Sequence, residues 1–92
     1  MNETYSVIYS SKAKDDLIEI YSYIAFDLQV PDIAEGQVNR IRKTIRSLDF
    51  MPSRYITVEW EPWKSMRMHQ VPVDNFDAYY VVNDDSRTVT VI

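Results

Sequence analysis

The sequence has no cysteine, one histidine and one glycine among 92 residues. Without cysteine there is no disulfide framework, no zinc–thiolate centre and no cysteine nucleophile. With His69 as the single imidazole, a histidine metal site or a catalytic triad would lack most of its members. The lone Gly36 leaves no glycine-rich loop to cradle a phosphate. No apolar run approaches the roughly 20 residues that a membrane-spanning helix needs, and the opening residues lack the basic and apolar pattern of a signal peptide. These absences predict a cytoplasmic protein with no membrane contact, no metal and no cofactor.

What is present is apolar. Hydrophobic residues make up 46% of the chain and aromatics 13%, with seven Tyr, three Phe and two Trp. In 10.9 kDa that content builds one core and leaves no room for a second domain, so residues 1–92 are expected to form a single domain. The net charge of -4 is too small for disorder at this apolar content. The charge is segregated, however. Residues 1–35 hold two lysines against seven carboxylates, residues 36–67 hold seven cations against three carboxylates, and residues 68–92 hold one arginine against four. The middle block is therefore the part of the chain suited to a polyanion, although Arg40, Arg42, Lys43 and Arg46 also suit the solvated face of a helix.

Periodicity orders the elements. Residues 4–9 are rich in β-branched and aromatic side chains, with Tyr5, Val7 and Tyr9 on one parity, and read as a strand. Ser10 and Ser11 offer an N-cap, and Ala13, Leu17, Ile20, Tyr21, Ile24 and Leu28 form the apolar stripe of a helix over residues 11–28. Pro31 suits the first turn of a second helix, whose stripe is Ala34, Val38, Ile41, Ile45 and Leu48. Residues 55–58 read as a short strand or an extended loop. Residues 66–73, 76–82 and 88–92 read as three strands, joined by turns at Asp74-Asn75 and at residues 83–86. The order β-α-α-(β)-β-β-β predicts an α+β domain with a helical hairpin on one face of a mostly antiparallel sheet. The last strand runs to Ile92 without a polar tail, which reads as a C-terminus cut short.

Taken in order, the Tyr5-Ser6-Val7 strand, the Ser10 to Leu17 helix start, Ile20 to Ile24, the Ile41 to Leu48 stripe before Pro52, and the hairpin from Met66 to Val82 resemble the RelE/ParE toxins of bacterial type II toxin-antitoxin modules. The resemblance covers essentially the whole chain. It implies a βααβββ fold, a helical hairpin over a twisted, mostly antiparallel sheet, and a cognate antitoxin protein as partner. RelE-like members cleave messenger RNA on the ribosome, and ParE-like members inhibit DNA gyrase without a nuclease site. The resemblance ranks a RelE-like endoribonuclease first, a ParE-like gyrase inhibitor second and a non-toxic antitoxin-binding module third.

RNA cleavage without a metal needs a base for the 2′-hydroxyl, cations for the phosphorane and an acid for the leaving oxygen. The family likeness places Arg67 on the first strand of the hairpin as the phosphate contact, and strand alternation would put His69 on the same face as an acid or base. Glu61 is a candidate base. Lys64 and Arg54 are candidate nucleic-acid contacts, and Trp63, which with Trp60 flanks Glu61-Pro62, is a candidate for base stacking. The arginine and the histidine or tyrosine that active nucleases of the family carry near the C-terminus have no counterpart before Ile92.

Overall fold

The computed structural model describes residues 4–92. Ser10 sets the direction of the chain: its backbone is extended, and its hydroxyl oxygen accepts the Ala13 N–H at 3.0 Å, which satisfies a donor that the first helical turn leaves open. Strand β1 (Ser6–Tyr9) precedes this cap and helix α1 (Ser11–Ser22) follows it. Residues Tyr23–Asp27 continue α1 as a wider π-helical turn, in which the Leu28 N–H reaches the Tyr23 carbonyl. Gln29 then takes a left-handed conformation, with φ of 58°, and ends the helix. Helix α2 (Pro31–Arg46) starts on proline, as the sequence predicts, and short 3₁₀ turns at Ser47–Asp49 and Pro52–Arg54 lead away from it.

Strands β2 (His69–Val73), β3 (Phe76–Asn83) and β4 (Thr88–Val91) follow. The sheet order is β1-β4-β3-β2, with β1 parallel to β4 and the other pairs antiparallel. The helices cover one face. Ile41, Ile45 and Leu48 from the α2 region meet Val71, Val73, Tyr80, Val89 and Val91 from the sheet, and Tyr5, Val7 and Tyr9 pack against this core on the parity the sequence assigns them. This α+β arrangement is the one expected, and Ala34, Ile41, Ile45 and Leu48 of the α2 stripe are buried while Val38 is half-buried.

Two local readings are corrected, and one left open is decided. The expected stripe of α1 drifts at its end, where Ala25 is buried while Tyr21 and Leu28 are exposed. Tyr21 lies within the regular helix at the margin of the stripe, and from Tyr23 on the wider π winding turns each residue through a smaller angle, so the inward face moves off the three-and-four spacing. Residues 55–58 form no named strand. They run extended along the outer edge of β2, where the Gln70 N–H donates to the Ile56 carbonyl and the Val58 N–H to the Met68 carbonyl, each at 2.9 Å. This also explains why β2 tolerates proline: by alternation the N–H that Pro72 lacks would face the same outer edge, away from β3. Finally, the strand expected over residues 66–73 begins at His69, because Arg67 is left-handed with φ of 55° and sits in the preceding turn.

Candidate functional site

The sequence-predicted residues fall in three different settings. Arg54 is spent on the backbone. Its guanidinium donates to the Phe50 carbonyl, to the Met51 carbonyl at 3.1 Å, and to the carbonyl and hydroxyl of Ser47 at 3.3 and 3.1 Å. It also lies over the Tyr55 ring, 4.8 Å from its centroid. A cation holding carbonyls left open after α2 supports the fold rather than presenting charge to a nucleic acid.

His69 is 7% exposed and stacks on Tyr80, its cross-strand partner, with ring centroids 5.1 Å apart and planes 16° from parallel. Burial pushes the imidazole below its ordinary range, only partly opposed by the Arg67 backbone, and Nδ1 has no hydrogen-bond partner. His69 is thus a neutral ring in the wall of the core. The alternation argument fails with it: Arg67 lies outside the strand, so the two side chains share no strand face.

The remaining candidates sit on the loop of residues 59–67. The Glu61 carboxylate accepts the Ser65 N–H at 2.9 Å and the Ser65 hydroxyl at 2.7 Å, and so works as an internal clasp. Trp63, Lys64 and Arg67 all face solvent to a substantial degree. Among the described residues neither Lys64 nor Arg67 has an ion-pair partner. The fold therefore groups two cations with both indoles and the clasped Glu61 on one loop, and keeps the imidazole and Arg54 out of that group. Among the described residues, no three His, Cys, Asp or Glu side chains converge to hold a metal ion.

Two grooves give form to the apolar surface that the family likeness implies along the helical hairpin. One, of about 380 Å³, runs between α1 and the hairpin, with Leu17, Ile20, Ile41, Phe76 and Val91 on its floor and Asp16, Glu19 and Asp77 among its lining. The other, of about 510 Å³, lies along the two helices and is lined by Tyr9, Leu17, Ile18, Tyr21 and Val38 with Lys14 and Arg42. Tyr9 is pushed above the usual phenol range by burial, with Arg42 and Arg46 pulling the other way. The one available signal was Ile18, an apolar residue off the α1 stripe and 63% exposed. Apolar floors with acidic lining in one groove and basic lining in the other suit an extended or helical protein segment of mixed character.

No helix among the described residues is long and apolar enough to cross a membrane. Among solved structures, the chain is similar to a chromosomal ParDE toxin-antitoxin system from P. aeruginosa, with 20% identity, a TM-score of 0.76, and coverage of 97% of this chain and 91% of that one. It is also similar to a double arginine-to-alanine mutant of E. coli toxin RelE in the free state, with 14% identity, a TM-score of 0.62, and coverage of 97% and 79%. At these identities the likeness is one of fold. None of the curated proteins matches by sequence. The sequence model described as ParE toxin of type II toxin-antitoxin system, parDE, matches residues 7–92. A toxin of that kind implies a cognate antitoxin as its partner. With the match spanning nearly the whole fold, the chain belongs to the ParE toxin family of type II toxin-antitoxin systems.

Proposed function

We propose that this toxin acts in the cytoplasm by binding a protein target, DNA gyrase, rather than by cutting messenger RNA, and that its antitoxin neutralises it by covering the helical hairpin. The observation that carries this reading is the burial of His69. The one imidazole of the chain is stacked against Tyr80 and held neutral, so the group best suited to proton transfer near neutral pH does not face a substrate. Arg54 and Glu61 are likewise committed to local contacts. The match to the ParE family favours the same reading over the RelE-like one ranked first from the sequence. The two grooves along α1 give the antitoxin apolar surface to cover.

The test is induced expression in bacteria with a DNA-damage reporter and messenger RNA integrity read together. Growth arrest with a damage response and intact RNA is expected. Arrest with cleaved RNA and a silent reporter would overturn the reading in favour of a ribosome-dependent nuclease acting through Arg67 and Lys64.

A further inference from the structure

Tryptophan is usually well buried, and an exposed apolar cluster calls for a reason. Both tryptophans of the chain are exposed, Trp60 by 56% and Trp63 by 37%, and they share one loop with Met66 at 50% and the adjoining Ile56 at 72%. The loop is nonetheless well defined. The Lys64 N–H reaches the Trp60 carbonyl at 2.9 Å, the Arg67 N–H reaches the Lys64 carbonyl at 3.0 Å, the Met68 N–H reaches the Trp63 carbonyl at 3.0 Å, and Glu61 clasps Ser65. Its backbone is closed by its own hydrogen bonds, and its large apolar side chains are left in water.

The geometry points to residues 56–67 as the surface by which the toxin grips its protein target, and this rests on the reading that the chain acts by binding. A loop ordered in advance loses little conformational freedom on association, and tryptophan and arginine are the residues that most often carry binding energy at protein interfaces. The cations fix the chemistry of the partner. Lys64 and Arg67 are without ion-pair partners among the described residues and Glu61 is engaged by Ser65, so two free cations and one exposed carboxylate, Glu59, lie beside the indoles. The fitting partner is an apolar depression on a protein, with carboxylates to meet Lys64 and Arg67 and a donor or cation to meet Glu59. A nucleic-acid backbone fits less well, because Glu59 and Glu61 offset the two cations and leave the loop no net positive charge.

The loop also stands apart from the helical grooves. It enters β2 at His69, the opposite end of that strand from the Asp74 turn, which Arg40 of α2 holds at 2.8 Å. None of the residues lining either groove belongs to it. Target and antitoxin would therefore meet different surfaces.

Two double variants test this: Trp60→Ala with Trp63→Ala, and Lys64→Glu with Arg67→Glu. Each is purified and assayed for antitoxin binding and for inhibition of supercoiling by purified gyrase. Antitoxin binding within about twofold of wild type, with inhibition weakened by at least about tenfold, is expected of a loop that carries hot spots for the target alone. Variants that bind antitoxin and still inhibit like wild type would overturn the inference and leave the gyrase reading standing. A wild-type chain that does not inhibit gyrase would remove the reading itself, and the inference with it. Should both variants fail to fold, wild-type toxin labelled with 5-fluorotryptophan decides: its fluorine signals should shift or broaden with gyrase and stay in place with antitoxin, and signals unmoved by gyrase would overturn the inference.

Discussion

The Tyr80 hydroxyl donates to the Pro52 carbonyl at 2.5 Å and so ties β3 to the turn that follows α2. Tyr80 is fully buried, and the bond satisfies both a hydroxyl and a carbonyl that water cannot reach. Tyr80→Phe removes the donor and leaves the carbonyl unpaired. The expected loss is about 1–2 kcal/mol, read as a lower urea midpoint with an unchanged slope.

The same residue gives the protein an alkaline limit. Burial pushes the Tyr80 phenol up to about 12 from 10.0, so above pH 10 the unfolded chain releases this proton first. Stability from Tyr80 is complete below about pH 10 and declines as the pH rises towards 12. Urea midpoints across that range should fall more steeply for wild type than for Tyr80→Phe.

His69 sets an opposite trend in acid. Its folded-state pKa lies below the ordinary value of 6.5, so as pH falls the unfolded chain takes up the proton first. The contribution of His69 is complete above about pH 6.5, falls below it, and levels off once the folded imidazole protonates. His69→Phe keeps the ring on Tyr80 and removes the titration. The stability of wild type relative to this variant should drop between pH 7.5 and pH 5, and a constant difference would contradict the buried neutral imidazole.

Arg54→Ala separates a structural arginine from a nucleic-acid contact. Losing its bonds to residues 47, 50 and 51 is expected to cost on the order of 1 kcal/mol. Growth arrest at a temperature where the variant stays folded should match wild type. Loss of arrest at unchanged stability would return Arg54 to the binding surface.

Gly36 lies within α2 with an ordinary helical backbone, and a Cβ there would meet only the flexible end of Arg40, at 3.4 Å from Nη1. Gly36→Ala should stabilise the protein by roughly 0.5–1 kcal/mol, because alanine loses less backbone freedom on entering a helix. Thermal melting should register a rise of a few degrees.

Most of the architecture could be read from the chain because it rests on local rules. Ser10 as a cap, Pro31 as a helix start, the Ala34 to Leu48 stripe and the Asp74-Asn75 turn each act over a few residues, and each is where it was expected. The parallel pairing of β1 with β4 was not legible, since it joins Ser6 to Thr88 across the entire chain and leaves no periodic signal. The site was less legible than the fold. Alternation put Arg67 and His69 on one face, but a left-handed Arg67 breaks the strand before alternation can apply. The sequence pairs Arg54 with Lys64 as nucleic-acid contacts and sets Arg67 apart as the phosphate contact. Only tertiary structure separates the one that binds carbonyls from the two beside the tryptophans.

Titration of purified wild-type chain into a gyrase supercoiling reaction, with a ribosome-bound messenger RNA in a parallel tube, decides whether the toxin works by occupying a protein. Supercoiling should stop as toxin approaches equivalence with gyrase and resume on addition of antitoxin, while the messenger RNA stays whole. Unimpeded supercoiling beside cleaved messenger RNA would contradict action by protein binding.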